Sequence, residues 1–253
     1  MLVDVAVPGG TAEAWLSRPD DGATHPGVLV FMDAFGIRPQ IGRLADRISS
    51  WGYVVLAPNV FHREGTVAEL APAADLRDAA TRQDFFAVAA PRIRRLTPSL
   101  AAQDIDAYVD ALRGLPGVAD GPIGVTGYCM GARLAVRAAC LRPDLVAACG
   151  GFHGGCLATD DADSPHLGLE NARARFYLGH ADGDRSMPPE AIARLDAALD
   201  DAGLEHVTEV YAGAPHGYTM ADTSSYDEAA AERHYVALED LLRRSLGARS
   251  PDR

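Results

Sequence analysis

The pentapeptide Gly127-Tyr128-Cys129-Met130-Gly131 constrains this chain more than any other segment. It matches G-x-S-x-G, the pattern of a sharp strand-to-helix turn that lifts a nucleophile above a sheet, with cysteine in the serine position. Its surroundings are the required ones. Residues 122–126, Pro-Ile-Gly-Val-Thr, read as a short buried strand, and the Ala- and Arg-rich residues 132–139 read as a helix. So tight a turn strains the central residue and presses strand against helix, leaving no room for side chains two positions before and two after. Gly127 and Gly131 stand there.

Around this turn, strand and helix patterns alternate. Residues 3–7 and 12–16 alternate apolar with polar, as an antiparallel pair at a sheet edge would. Residues 27–32 and 53–57 are continuous apolar runs, and between them Ile41, Leu44, Ala45 and Ile48 recur at helical spacing, which predicts a βαβ unit with parallel strands. Thr97-Pro98 opens a helix through Ile105, Tyr108, Val109 and Leu112 that stops at Gly114. Strands over 145–150, 174–178 and 206–211 follow, with a helix from about 189 to 202. Ser225-x-x-Glu228 reads as a capping box for a final helix past Leu241. Residues 61–98 mix Ala, charges and three prolines and read as short helices covering the site, with no chemistry assigned. The expectation is one α/β domain over 1–253, a mostly parallel central sheet with helices on both faces. Ligands of such sheets bind at the carboxyl ends of the strands, here the loops after Met32, Thr126, Gly150, Leu178 and Tyr211.

Composition removes several function classes. The net charge is −12 and every one of the 23 basic residues is arginine. Without lysine there is no phosphate-binding P-loop lysine, no pyridoxal-phosphate Schiff base and no lysine nucleophile. The acidic balance, with only a short Arg92/Arg94/Arg95 cluster, argues against nucleic acid and anionic membranes as partners. No apolar run approaches the roughly 18 residues of a membrane span, and residues 1–7 alternate like a strand rather than a signal peptide, so a cytoplasmic protein is expected. The four cysteines, 129, 140, 149 and 156, fit neither metal-site nor small disulfide-framework spacing, which agrees with a reducing compartment. Cys140 and Cys149 read as small buried apolar residues.

A cysteine nucleophile needs a base, and the base needs an orienting acid; in this architecture they follow in the order nucleophile, acid, histidine. Gly179-His180-Ala181-Asp182-Gly183-Asp184 follows one strand and Pro215-His216-Gly217 the next, so Cys129, His216 and either Asp182 or Asp184 can converge. Amide donors for an oxyanion are expected from Met130, after the nucleophile, and from Ala34 in Asp33-Ala34-Phe35-Gly36. Asp33 reads either as a solvated turn carboxylate or as a group near the thiol, and Phe35 and Tyr128 are candidate pocket or thiol-gating residues. His153 reads equally as pocket lining or as part of a simple turn. His25, His62, His206 and His234 read as solvated, and His153, Asp160, Asp161, Asp163 and His166, which could be read as metal ligands, lack a helical or known ligand spacing and read as a solvated loop, so no metal is expected.

With these segments in view the chain resembles the dienelactone hydrolase family of α/β-hydrolases, from about residue 12 to 242. Four stretches carry the resemblance: residues 32–36, 127–131, Asp184-x-x-Met187-Pro188 and Pro215-His216-Gly217. It implies a cofactor-independent hydrolase of small carboxylic esters or lactones, monomeric or homodimeric, with a Cys129-Asp184-His216 triad and an acyl-thioester intermediate. The acid register prefers Asp184 over Asp182. Where Asp33 stands the family usually carries a glutamate that gates the thiol, and where Met220 stands it carries an arginine for the substrate carboxylate. A thioesterase or general esterase on the same triad, and a binding protein that keeps only the pocket, are the competing readings.

Overall fold

The computed structural model describes residues 1–247. In chain order it contains β1 (Leu2–Val7), β2 (Gly10–Ser17), β3 (Gly27–Phe31), α1 (Pro39–Ser49), β4 (Val54–Pro58), α2 (Val67–Leu70), α3 (Ala79–Arg95), α4 (Pro98–Gly114), β5 (Ile123–Tyr128) and α5 (Met130–Leu141). Then come β6 (Val146–Phe152), a 3-10 helix (Pro165–Asn171), β7 (Arg175–Ala181), α6 (Pro189–Asp201), β8 (His206–Tyr211) and α7 (Glu228–Leu246). The eight strands form one sheet in the order β1-β2-β4-β3-β5-β6-β7-β8. Only the β1–β2 and β2–β4 pairs are antiparallel. This is the α/β architecture that the alternating pattern predicts.

Burial explains the difference between central and edge strands. Every residue of β3, β4 and β5 is buried, because helices cover both faces, whereas β8 exposes side chains along its length as an edge strand does. α4 and α5 pack together on one face. α1 and α7 share the other, where the Arg47 guanidinium lies 3.7 Å from the centroid of the Tyr235 ring. α1 buries Ile41, Leu44, Ala45 and Ile48, the same stripe that its sequence spacing predicts.

Three local expectations need correction. The last helix is capped by Asp227, whose carboxylate accepts from the Ala230 amide, while Ser225 is buried in the preceding loop with its own amide donating to Thr223 Oγ1. The covering segment is chiefly one 17-residue helix, α3, rather than several short ones, and Pro91 sits inside it. β5, β6 and β7 run further than their apolar runs, because parallel pairing continues through Tyr128↔Phe152 and Phe152↔Gly179.

The turn between β5 and α5 depends on its two glycines. A methyl on Gly127 would fall on the Gly131 carbonyl, and one on Gly131 would fall on the carbonyls of Phe31 and Met32 at the end of β3. Backbone atoms of three elements cannot yield as a flexible side chain would. Gly131→Ala is therefore expected to lower unfolding stability by about 3 kcal/mol, read as a shifted urea midpoint at an unchanged slope.

Candidate active site

Cys129 stands between β5 and α5 at φ 55, ψ −120, a conformation that L residues seldom adopt and that aims its side chain away from the turn. Its amide donates to Phe152 O at 3.1 Å, which extends the β5–β6 ladder into the turn and pins the strained residue. The sulfur lines a cavity of about 420 Å³ that Asp184 and His216 also line.

Asp184 lies in the loop after β7. The Ser186 amide and hydroxyl both donate to its Oδ1, at 2.8 and 2.7 Å, which turns Oδ2 toward His216 Nδ1 at 2.5 Å. Asp182 faces elsewhere: its Oδ2 accepts from the Gly213 amide at 2.8 Å and ties the two loops together. The alternative that the sequence leaves open thus has a geometric answer, with Asp184 against the histidine. Burial raises the Asp184 pKa, but its bonds to His216 and Ser186 outweigh that and hold it below the usual carboxylate range. For His216, burial works against the charge, yet the sulfur of Cys129 and the Asp184 carboxylate push its pKa up from 6.5 to about 10. Because the folded pKa exceeds the unfolded one, the stability that this imidazolium contributes is complete below about 6.5 and fades as pH rises toward about 10.

The Met130 amide opens α5, where a first-turn N–H has no partner within its helix, and among the described residues the Ala34 amide has no protein acceptor. Both residues line the cavity. Asp33 also lines it but is no solvated turn: it is 3% exposed. Arg38 grips it through Nη1–Oδ1 at 2.6 Å and Nη2–Oδ2 at 3.0 Å. The same guanidinium donates to Asp222 Oδ2 at 2.7 Å and Oδ1 at 3.1 Å, so one buried cation joins the loop after β3 to the segment that follows His216. Burial opposes its charge, but the two carboxylates hold it protonated far above the working range.

Phe35 lines the cavity, as expected, and packs edge-on against Phe85 and Phe86 of α3. Tyr128 does not line it. Its ring is fully buried beneath the site, stacked on Phe152 and edge-on to His234, since a residue one before the turn points back into the sheet. His234 is likewise fully buried rather than solvated. His153 is buried too, at φ 39, with Nε2 2.7 Å from Thr219 Oγ1 and its ring 5.4 Å from that of His216. Burial, followed by the nearby His216 and His234, lowers its pKa well below the ordinary value and keeps it neutral. Sequence reasoning missed the α3 contribution of Arg82, Phe86 and Ile93, and also Arg133 and Cys156. The Phe85-Phe86 doublet was the available signal. Among the described residues one group has metal-ligand geometry, Asp196, Asp200 and His206, and none of the three lines the cavity.

A mostly parallel sheet flanked by helices, with a strained cysteine turn between strand and helix and an aspartate–histidine pair on the later strand ends, is the α/β-hydrolase architecture. The sequence model of the dienelactone hydrolase family matches residues 12–246, and the chain belongs to that family. It is thereby a carboxylic ester or lactone hydrolase by family. The carboxymethylenebutenolidase of Rhodococcus opacus is 26% identical over 230 residues, covering 90% of this chain and 83% of that protein. Among solved structures, a dienelactone hydrolase-like promiscuous phosphotriesterase from metagenomic libraries superposes with a TM-score of 0.76 at 20% identity, covering 97% of both chains. The dienelactone hydrolase from Anabaena variabilis does so at 0.66 and 18% identity, again covering 97% of both. No helix among the described residues is long and apolar enough to cross a membrane.

Two outcomes follow from the electrostatics. In a histidine NMR titration, His216 should stay protonated from pH 5 to about 9, and Cys129→Ala should bring its titration down, because the sulfur does more than any other neighbour to hold the imidazolium charged. Arg38→Met leaves Asp33 buried without its counter-charge and should cost about 3–5 kcal/mol in chemical denaturation, part of it recovered by adding Asp33→Asn.

Proposed function

We propose that the chain hydrolyses small carboxylic esters or lactones through a Cys129-Asp184-His216 triad. The observation that carries this is the 2.5 Å Asp184–His216 contact beside Cys129 at its strained turn, all within one cavity. The thiol proton rests on His216, held in line by Asp184 as an imidazolium, and the sulfur attacks the substrate carbonyl. The amides of Ala34 and Met130 receive the resulting oxyanion. Its collapse breaks the carbonyl–oxygen bond, the imidazolium returns its proton to the leaving oxygen, and an acyl-thioester remains on Cys129. Water, deprotonated by His216, then cleaves that thioester and regenerates the thiol; in an enol lactone whose leaving oxygen departs unprotonated, the enolate held within the same molecule is a second base for that water, taking its proton as the hydroxide attacks the thioester.

Asp33 and Phe35 form the wall beside the oxyanion loop in this reading, and His153 supports His216 as a neutral neighbour. No step needs a metal or an organic cofactor, and the partner is a small molecule. The protein is proposed to work in the cytoplasm.

Cys129→Ala should abolish turnover of a panel of nitrophenyl esters and unsaturated lactones. Asp184→Asn should lower kcat by about 100-fold or more, whereas Asp182→Asn should stay close to wild type. Undiminished hydrolysis by Cys129→Ala would refute the mechanism. Failure of the intact protein to form an adduct or product with any member of the panel would favour a binding protein instead.

A further inference from the structure

A second cavity, of about 250 Å³, adjoins the catalytic one, and the two share Ile93, Met130, Arg133 and Cys156. Their linings differ in chemistry. The catalytic cavity is walled largely by apolar groups such as Phe35, Phe86 and Met220, whereas the second is polar: Thr97, Thr159 and Ser164 line it with three arginines, Arg94, Arg133 and Arg137, against two acidic residues, Asp161 and Asp163.

Most of the charges around the second cavity have partners. Arg137 donates to the backbone carbonyl of Asp163. Asp161 accepts from the Thr159 hydroxyl at 3.0 Å, and Asp160, on the same loop, pairs with Arg194 at 2.9 Å. On the catalytic side, Arg82 donates its Nε to Ser224 Oγ at 2.9 Å, and Arg185 is exposed. Arg94 and Arg133 both lack an acceptor among the described residues, but Arg94 is exposed, whereas Arg133 is half-buried at the junction of the two cavities. In a chain with 35 acidic residues and 23 arginines, an acidic partner would be easy to supply. A half-buried guanidinium with none keeps its donors free for an oxyanion that enters the cavity.

Position agrees with charge. Arg133 lies four residues after Cys129 on the helix that begins there, on the order of 6 Å further along its axis, so a short arm from a carbonyl over the sulfur reaches it. Arg137, one turn beyond, faces the same second cavity and adds positive potential. Met220, where the family resemblance expects an arginine, leaves its own part of the catalytic wall apolar.

Building on the hydrolase reading, we propose that the substrate is two-lobed. Its ester or lactone carbonyl occupies the apolar cavity above Cys129, and an oxyanionic arm, carboxylate or phosphate, extends into the second cavity and is held by Arg133. Arg133 is thus a specificity-determining residue that leaves the bond-breaking steps to the triad.

Calorimetry on the Cys129→Ala protein tests binding without turnover. The probes are the monomethyl and dimethyl esters of glutarate, adipate and suberate, with methyl ω-phosphonoalkanoates of matching length as the phosphate-like arm. The expected result is that at least one anionic ester binds about tenfold tighter than its neutral counterpart. Adding Arg133→Gln should bring that ratio close to one, and Arg133→Lys should retain part of it. The tighter of the carboxylate and phosphonate series names the arm. A ratio near one with Arg133 present, or a ratio that persists in Arg133→Gln, overturns the proposal. An Arg133-dependent preference in a protein whose intact form turns over neither these esters nor any member of the nitrophenyl ester and lactone panel would uphold the two-lobed site and count against the proposed mechanism.

Discussion

The approach of three backbone segments at Gly127 and Gly131 sets the rest of the site. Gly131 brings α5 against the end of β3, and Gly127 brings β5 against the first turn of α5, so the helix starts at one fixed height above the sheet. That height places the Met130 amide, the strained Cys129 and the loop containing Ala34 around one volume. The Cys129 amide also completes the ladder to Phe152, which couples the turn to β6, then through Phe152↔Gly179 to β7, whose loop carries Asp184. The distance between sulfur and carboxylate is thus an outcome of sheet register rather than of loop flexibility. A strain of order 1–3 kcal/mol at Cys129 persists because the neighbouring elements leave it no alternative.

A second constraint is electrostatic. Arg38 is 4% exposed and satisfies two carboxylates from distant parts of the sequence, Asp33 and Asp222. Apolar residues of similar volume could fill such a site with no loss of stability, so energy alone does not account for the ion cluster. Its geometric effect is clearer. Asp33 immediately precedes Ala34 and Asp222 follows His216 by six residues, and one rigid guanidinium holds both. On the proposed mechanism this fixes the oxyanion donor relative to the base. With both Asp33 oxygens committed to Arg38, and one also accepting from the Phe35 amide, the carboxylate has little freedom to swing toward the sulfur.

The sequence made visible those parts of the molecule that backbone geometry dictates. Continuous apolar runs mark β3 and β4 because both faces of a central parallel strand are covered, and the glycine pair marks the turn because only glycine fits there. The order of Cys129, Asp184 and His216 follows from strand order. What stayed hidden depends on long-range partners. Nothing within a few residues of Asp33 announces Asp222, 189 positions on, as the second carboxylate on Arg38. Tyr128 and His234 read as a pocket residue and a solvated one, yet they meet in one buried aromatic cluster, where the hydroxyl of one lies 3.3 Å from the ring nitrogen of the other. The capping role passed from Ser225 to Asp227 because the loop buries Ser225. α3 was unreadable because only Ala89 along its 17 residues is buried, which leaves almost no apolar period to detect.

That last point separates two kinds of wall in one cavity. The residues proposed to break bonds sit at strand ends, where hydrogen-bond ladders fix them. Arg82, Phe86 and Ile93 come from a helix that packs against the site mainly through aromatic edges at Phe35 and contains a proline. An element with so few buried contacts opens at lower free energy than the sheet beneath it. Substitutions along its inner face therefore change what the cavity admits while the Cys129, Asp184 and His216 geometry is retained. The same separation applies to Arg133: it lies on the helix whose start is locked by Gly131, but among the described residues its side chain makes no hydrogen bond that a different ligand preference would have to break. On the proposed mechanism, chemistry and selectivity thus rest on different physical supports, the first on backbone register and the second on side chains that the fold does not need.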